Sequence, residues 1–98
     1  PIWLNFKGGK GVATGFGTIL FINLLVGITA LLIWFLIAKL FKISSMSALV
    51  SYFLIPFLMA FNSVENYFII ASVFISSICW FQHRENIKRL LNRTEPKI

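Results

Sequence analysis

The sequence predicts an all-α fold, a polytopic bundle of about four membrane helices forming one integral membrane domain over residues 1–98. Composition is the first reason. Of the 98 residues, 58% are hydrophobic and 12% are charged, and the mean hydropathy is +0.86. A soluble domain of this size needs a larger polar share to cover its surface. Clustering is the second reason. The nine Lys/Arg and three Asp/Glu fall in a few groups separated by long uncharged runs. Such runs suit a hydrocarbon solvent, where an ionised side chain at mid-depth costs about 2.5–3.5 kcal/mol. The third is the side on which the charge falls, which fixes the number of crossings.

Val12 to Leu40 is apolar apart from Asn23, a few threonines and Lys39. At 1.5 Å per residue that run makes about 43 Å of helix, too long for a core of about 30 Å and too short for two full spans. Read as one span, it sets Lys7 and Lys10 opposite Lys39, Lys42 and the basic tail. Read with a break between Asn23 and Gly27, it gathers Lys7, Lys10, Lys39, Lys42, Arg84, Lys88, Arg89, Arg93 and Lys97 on one side and leaves Glu65 on the other. The cytoplasmic preference of Lys and Arg selects the break.

The expected elements are therefore a short, partly penetrating helix at 11–22 and spans at 24–41, 45–61 and 66–82, with both ends of the chain cytoplasmic. The short helix needs protein around it. Gly11 and Gly15 permit close packing, and Ser44, Ser45, Ser47, Ala48 and Ser51 give the third helix a small face. Beyond Phe81, Ile87, Leu90 and Leu91 at helical spacing predict that the last helix runs on until Pro96 stops it.

The net charge of +6 needs no nucleic acid, because basic clusters beside membrane spans account for it. The single Cys79 forms no disulfide within the chain and reads as a small buried hydrophobe. Neither a metal site nor a cofactor is expected. The start, Pro1-Ile2-Trp3, shows no initiator Met and no signal peptide, and is expected to be processed or to follow a longer upstream part.

Two segments carry candidate chemistry. In Phe6-Lys7-Gly8-Gly9-Lys10-Gly11-Val12-Ala13-Thr14, glycines allow consecutive N–H groups to form an anion-binding nest at a helix start, and two lysines add charge. It is not a Walker A loop, since the spacing differs and no strand precedes it. The alternative is a flexible basic turn at a membrane face. In His83-Arg84-Glu85-Asn86-Ile87-Lys88-Arg89, a helix puts His83 and Asn86 on one face, beside arginines, where they can orient a phosphate or a hydroxyl. The alternative is a basic anchor with a solvated histidine. Lys88 stands where the H-x-x-x-x-D dyad of a soluble acyltransferase would place Asp.

FKGGKGVAT followed by apolar helices and a closing HRENIKRL and TEPKI resembles the bacterial PlsY-type membrane glycerol-3-phosphate acyltransferases, over essentially the whole chain. The resemblance implies the C-terminal half of a seven-helix bundle in the bacterial inner membrane. It implies acyl transfer from acyl phosphate to the 1-hydroxyl of glycerol 3-phosphate, giving lysophosphatidate and phosphate, the first step of phospholipid synthesis. It also implies site residues: Lys7, Gly8, Gly9, Lys10, Gly11 and Thr14 in a phosphate loop, His83 and Asn86 as catalytic groups holding substrate, Ser45 as a substrate contact, and Glu95 as structural support. Partners implied are the two substrates, membrane lipids and a separate N-terminal half.

Two departures stand out. Arg93 occupies a position where the family usually has glycine, which matters if the backbone there has positive φ. The first three helices and the first motif are not in this chain, so by itself it holds an incomplete site. Without that half it is a catalytically inactive remnant of a split or truncated gene. A cationic membrane-active peptide is a further reading, one that has no use for the Lys-Gly-Gly-Lys order.

Overall fold

The computed structural model of the chain describes residues 11–98 with their side chains. Its elements are all helical: α1 (Ile2–Ile22), α2 (Leu24–Phe41), α3 (Ser44–Phe61), α4 (Asn66–Gln82) and α5 (Arg84–Leu91). The bounds of α2, α3 and α4 agree with expectation to within a residue. The start of α1 lies upstream of the 11–22 expected.

The long apolar run does break, and it breaks at one residue. Asn23 leaves helical geometry at φ −152 and ψ 111, and its side chain accepts the Val26 N–H at 3.0 Å, capping α2. The hairpin closes tightly because Gly27 is buried against α1. A Cβ there would lie 2.7 Å from the Leu20 Cα. Lys42, at φ 57, ends α2 with its N–H on the Ala38 carbonyl, and α3 begins two residues later.

One expectation is corrected. The last helix does not run on past Phe81, because α4 ends at Gln82, His83 sits at φ −96 and ψ 15, and the separate α5 stops at Leu91, well before Pro96. The reason is the tail. Arg93 adopts φ 58, with Arg93 N–H on the Leu90 carbonyl (3.2 Å) and Thr94 N–H on the Arg89 carbonyl (2.7 Å), a Schellman-type termination that turns the chain back. The Ile98 N–H then reaches the Lys42 carbonyl at 2.6 Å.

The exterior differs from that of a soluble domain. Phe21 is 92% exposed, and Leu24, Leu32, Phe35, Leu36, Phe57 and Phe74 all face outward, while Ser45, Ser47, Ser51, Ser72 and Ser76 share the core with Phe16, Ile19, Tyr52, Ile55 and Met59. An apolar exterior over helices packed through small residues suits lipid. By length and composition, α2 and α3 could cross a membrane.

Pro56 lies inside α3 and has no N–H to offer the Tyr52 carbonyl one turn earlier. In a non-aqueous interior that carbonyl needs another donor. Ser76 of α4 supplies it, its hydroxyl donating to the Tyr52 carbonyl at 2.6 Å. The neighbouring rung is Trp80 Nε1 donating to the Leu49 carbonyl at 3.1 Å, so α3 and α4 run antiparallel.

Ser76→Ala is expected to cost about 0.6–1.7 kcal/mol in detergent unfolding, the range of membrane interhelical hydrogen bonds. In a Pro56→Ala background the same change should cost much less, because the helix then satisfies Tyr52 itself. Equal costs in both backgrounds would contradict this account.

Candidate functional site

Tyr52, buried to 1% exposure, lies at the meeting of three helices. Its hydroxyl donates to the Val12 carbonyl of α1 at 2.6 Å, and its ring packs against Phe16 at 5.1 Å between centroids. The ring passes so close to α1 that a Cβ on Gly15 would overlap the phenol oxygen and come within 2.8 Å of Cζ. Gly15 thus serves the close packing its spacing from Gly11 suggested.

A cleft of about 220 Å³ opens between α1 and α4 above this contact. Its walls include Val12, Gly15, Tyr52 and Ile78, and Gly11, Thr14, Gln82 and His83 supply polar edges. Gly11 faces Gln82, whose Oε1 is 3.7 Å from where a Gly11 Cβ would stand. His83 is buried to 8% exposure. Its Nδ1 lies 2.7 Å from the Cys79 carbonyl and 3.6 Å from the Cys79 Sγ. Cys79 is buried and free, the small hydrophobe expected of it.

A second cluster forms nearby, where the tail meets the start of α3. The Glu95 carboxylate accepts from Ser45 Oγ at 2.5 Å and Asn86 Nδ2 at 2.7 Å on Oε2, and from Arg89 Nε at 2.7 Å on Oε1. Burial pushes the Glu95 carboxyl up. The hydrogen bonds from Arg89, Ser45 and Asn86, together with the Arg89 charge, outweigh that and hold it below the usual carboxylate range.

The predicted residues therefore divide. Gly11, Thr14 and His83 line the cleft, whereas Ser45, Asn86 and Glu95 hold one another in the clasp. The side chains of Lys7, Gly8, Gly9 and Lys10 lie outside the described residues, and their backbone is part of α1, which corrects the expected glycine nest ahead of the helix start. Sequence reasoning missed Tyr52, Gln82 and the pairing of Arg89 with Glu95. Only Tyr52 had a signal, as the residue one turn before a mid-helix proline.

Residues 1–93 match the family model described as glycerol-3-phosphate acyltransferase. Proteins named glycerol-3-phosphate acyltransferase from Dinoroseobacter shibae and Thioalkalivibrio sulfidiphilus are each 43% identical over 98 residues, covering 100% of this chain and 48% of theirs. One of the same name from Caulobacter vibrioides is 46% identical over 99 residues, covering 100% of this chain and 45% of its own length. The chain spans about half the length of the curated relatives it matches. No solved structure gives a significant match.

Because the folded Glu95 carboxyl titrates below its unfolded value, its contribution is complete above the unfolded value and is lost as pH falls through the folded one. The stability difference between the parent chain and Glu95→Gln should thus be flat from neutral pH to about 5 and shrink below about 4, read as thermal midpoints in detergent. Arg93→Gly should stabilise by about 1 kcal/mol by relieving the left-handed backbone at φ 58. A lower midpoint for that variant would contradict the termination described.

Proposed function

The chain belongs to the glycerol-3-phosphate acyltransferase family, and from that premise we propose that it forms the membrane-embedded half of an enzyme that acylates the 1-hydroxyl of glycerol 3-phosphate from acyl phosphate. The observation that carries the reading is the cleft itself, where the middle of α1 and the end of α4 meet with Gly11, Thr14, Gln82 and His83 on its polar edges. Lys7, Gly8, Gly9 and Lys10 immediately precede Gly11 in the chain, and the reading assigns them the phosphate of the substrate. An acyl phosphate is already activated. Positioning the hydroxyl and stabilising the departing phosphate with fixed donors and charge supplies most of what catalysis needs.

The topology proposed with it has four membrane crossings, the first by the Gly11–Ile22 part of α1. Helices of 17–18 residues in α2, α3 and α4 reach about 26 Å, close to the thickness of the hydrocarbon core. Lys39, Lys42, Arg84, Lys88, Arg89, Arg93 and Lys97 then share the cytoplasmic side of the bacterial inner membrane with both chain ends, and Glu65 faces the other. The reading completes a seven-helix bundle with three further helices from an N-terminal half, on the same chain or as a separate partner. A second reading is a catalytically inactive remnant of such an enzyme.

Co-reconstitution with a three-helix N-terminal partner separates the two. We expect glycerol 3-phosphate-dependent release of phosphate from acyl phosphate, reduced at least about 100-fold by Lys10→Ala and by His83→Ala. No release with any family N-terminal half supports the remnant. Release untouched by either substitution contradicts the site.

A further inference from the structure

We propose that the cytoplasmic end of α2 binds an anionic phospholipid, with Lys39, Lys42 and Lys97 gathered around its phosphate and its chains along the outer face of α2. The inference rests on the membrane topology above and is independent of the acyl-transfer reading.

Three lysines from two distant stretches of chain are gathered there. Lys39 lies in the last turn of α2 and Lys42 caps it, a spacing of three that makes them neighbours at the helix end. The tail supplies the third. Turned back at Arg93, it brings the Ile98 N–H to the Lys42 carbonyl at 2.6 Å, and Lys97 is the residue before that bond. All three lysines are exposed. The described carboxylates are engaged elsewhere: Glu85 pairs with Lys88 at 3.8 Å, Glu95 pairs with Arg89 at 2.7 Å, and Glu65 accepts from Tyr67 beyond the other end of α3. Among the described residues, no acid forms an ion pair with Lys39, Lys42 or Lys97. Their charge is left for a partner that brings its own anion.

The apolar surface beside them says which anion. Only 17% of α2 is buried in the bundle, against 44% of α3. Leu32, Leu36 and Leu40 are all exposed and follow at four-residue spacing, so they form one ridge along the helix. Phe35, also exposed, stands one turn before Lys39. Lys39 thus sits within the apolar helix, and its ammonium has to reach outward to the level of the lipid phosphates. A soluble anion would meet the lysines and leave the ridge unused. A phospholipid uses both, its chains against Leu32, Leu36 and Leu40 and its phosphate among the ammonium groups. Lys42 holds φ 57, a conformation that glycine or asparagine adopts with less strain. A lysine there supplies a charge that neither of those residues carries.

Photoreactive benzoylphenylalanine in place of Leu40 tests the site, in vesicles of phosphatidylglycerol and phosphatidylcholine in equal amounts. The mass of the adduct identifies the lipid. At about 0.1 M salt we expect phosphatidylglycerol adducts to exceed phosphatidylcholine adducts about 5-fold or more, the effect of roughly one lysine at an anionic surface. Combining Lys39→Gln, Lys42→Asn and Lys97→Gln should bring the ratio to about 1, with asparagine tolerating the left-handed cap. Lys88→Gln removes a lysine already paired with Glu85 and should leave the ratio unchanged. The probe in place of Phe21, at the other boundary, should show no preference. Equal labelling by the two lipids, or a preference that survives the triple change, overturns the site while the topology stands. An equal loss in Lys88→Gln also overturns it, since diffuse surface charge then explains the preference. So does a preference abolished by added inorganic phosphate, which would make the ligand a free anion. With the N-terminal half present the result should be the same, and protein adducts replacing lipid adducts would overturn the site. Adducts at position 21 with none at position 40 contradict the topology, and the site with it.

Discussion

The bundle depends on what happens around Tyr52. A proline one turn later deprives its carbonyl of a helical donor, and a glycine on α1 lets its ring approach another backbone. Ser76 answers the first need from α4, and the Val12 carbonyl answers the phenol from α1. One residue thereby links three helices through groups that lipid cannot satisfy. In water these bonds would compete with solvent. In a hydrocarbon surround the competitor is an unpaired polar atom, so the contacts specify helix register as well as adding stability.

That register brings the polar features to one end. With Tyr52 tied to Val12, Gly11 faces Gln82 in the last turn of α4 and shares the cleft with His83. The tail, turned back at Arg93, carries Glu95 to Ser45 and Ile98 to Lys42. Two neighbouring arrangements result, with different work to do. The cleft keeps a histidine available, while the clasp spends the donors of Ser45, Asn86 and Arg89 on one carboxylate and holds α5 in place. Asn86 and Ser45 in this structure thus bear on the cleft through Glu95 and the position of α5, and His83 borders it directly.

Much of the fold was legible in the sequence because hydropathy and charge set it. The apolar runs gave the helices, the length of the first run demanded a break, and Asn23 is a good cap at the place where charge required one. The interruption at His83 was not legible. No Pro or Gly marks it, and the helix stops there because the tail is anchored to a loop far away in sequence. The order Gly11, Thr14, His83 was readable as candidate chemistry, but not the pairing of Ser45 with Glu95 across 50 residues. Arg93 lies between. Family resemblance made its backbone suspect, and positive φ is what the chain adopts.

The central claim is that the Lys10–Gly11 part of α1 and the end of α4 share one water–lipid boundary with the basic tail. Single cysteines at Lys10, Lys42, Ser63 and Arg93, in a Cys79→Ala background, can be labelled in intact spheroplasts and in inverted vesicles with a reagent that does not cross the membrane. The account predicts that positions 10, 42 and 93 label only in inverted vesicles and position 63 only in spheroplasts. Labelling of positions 10 and 93 from opposite sides would contradict it.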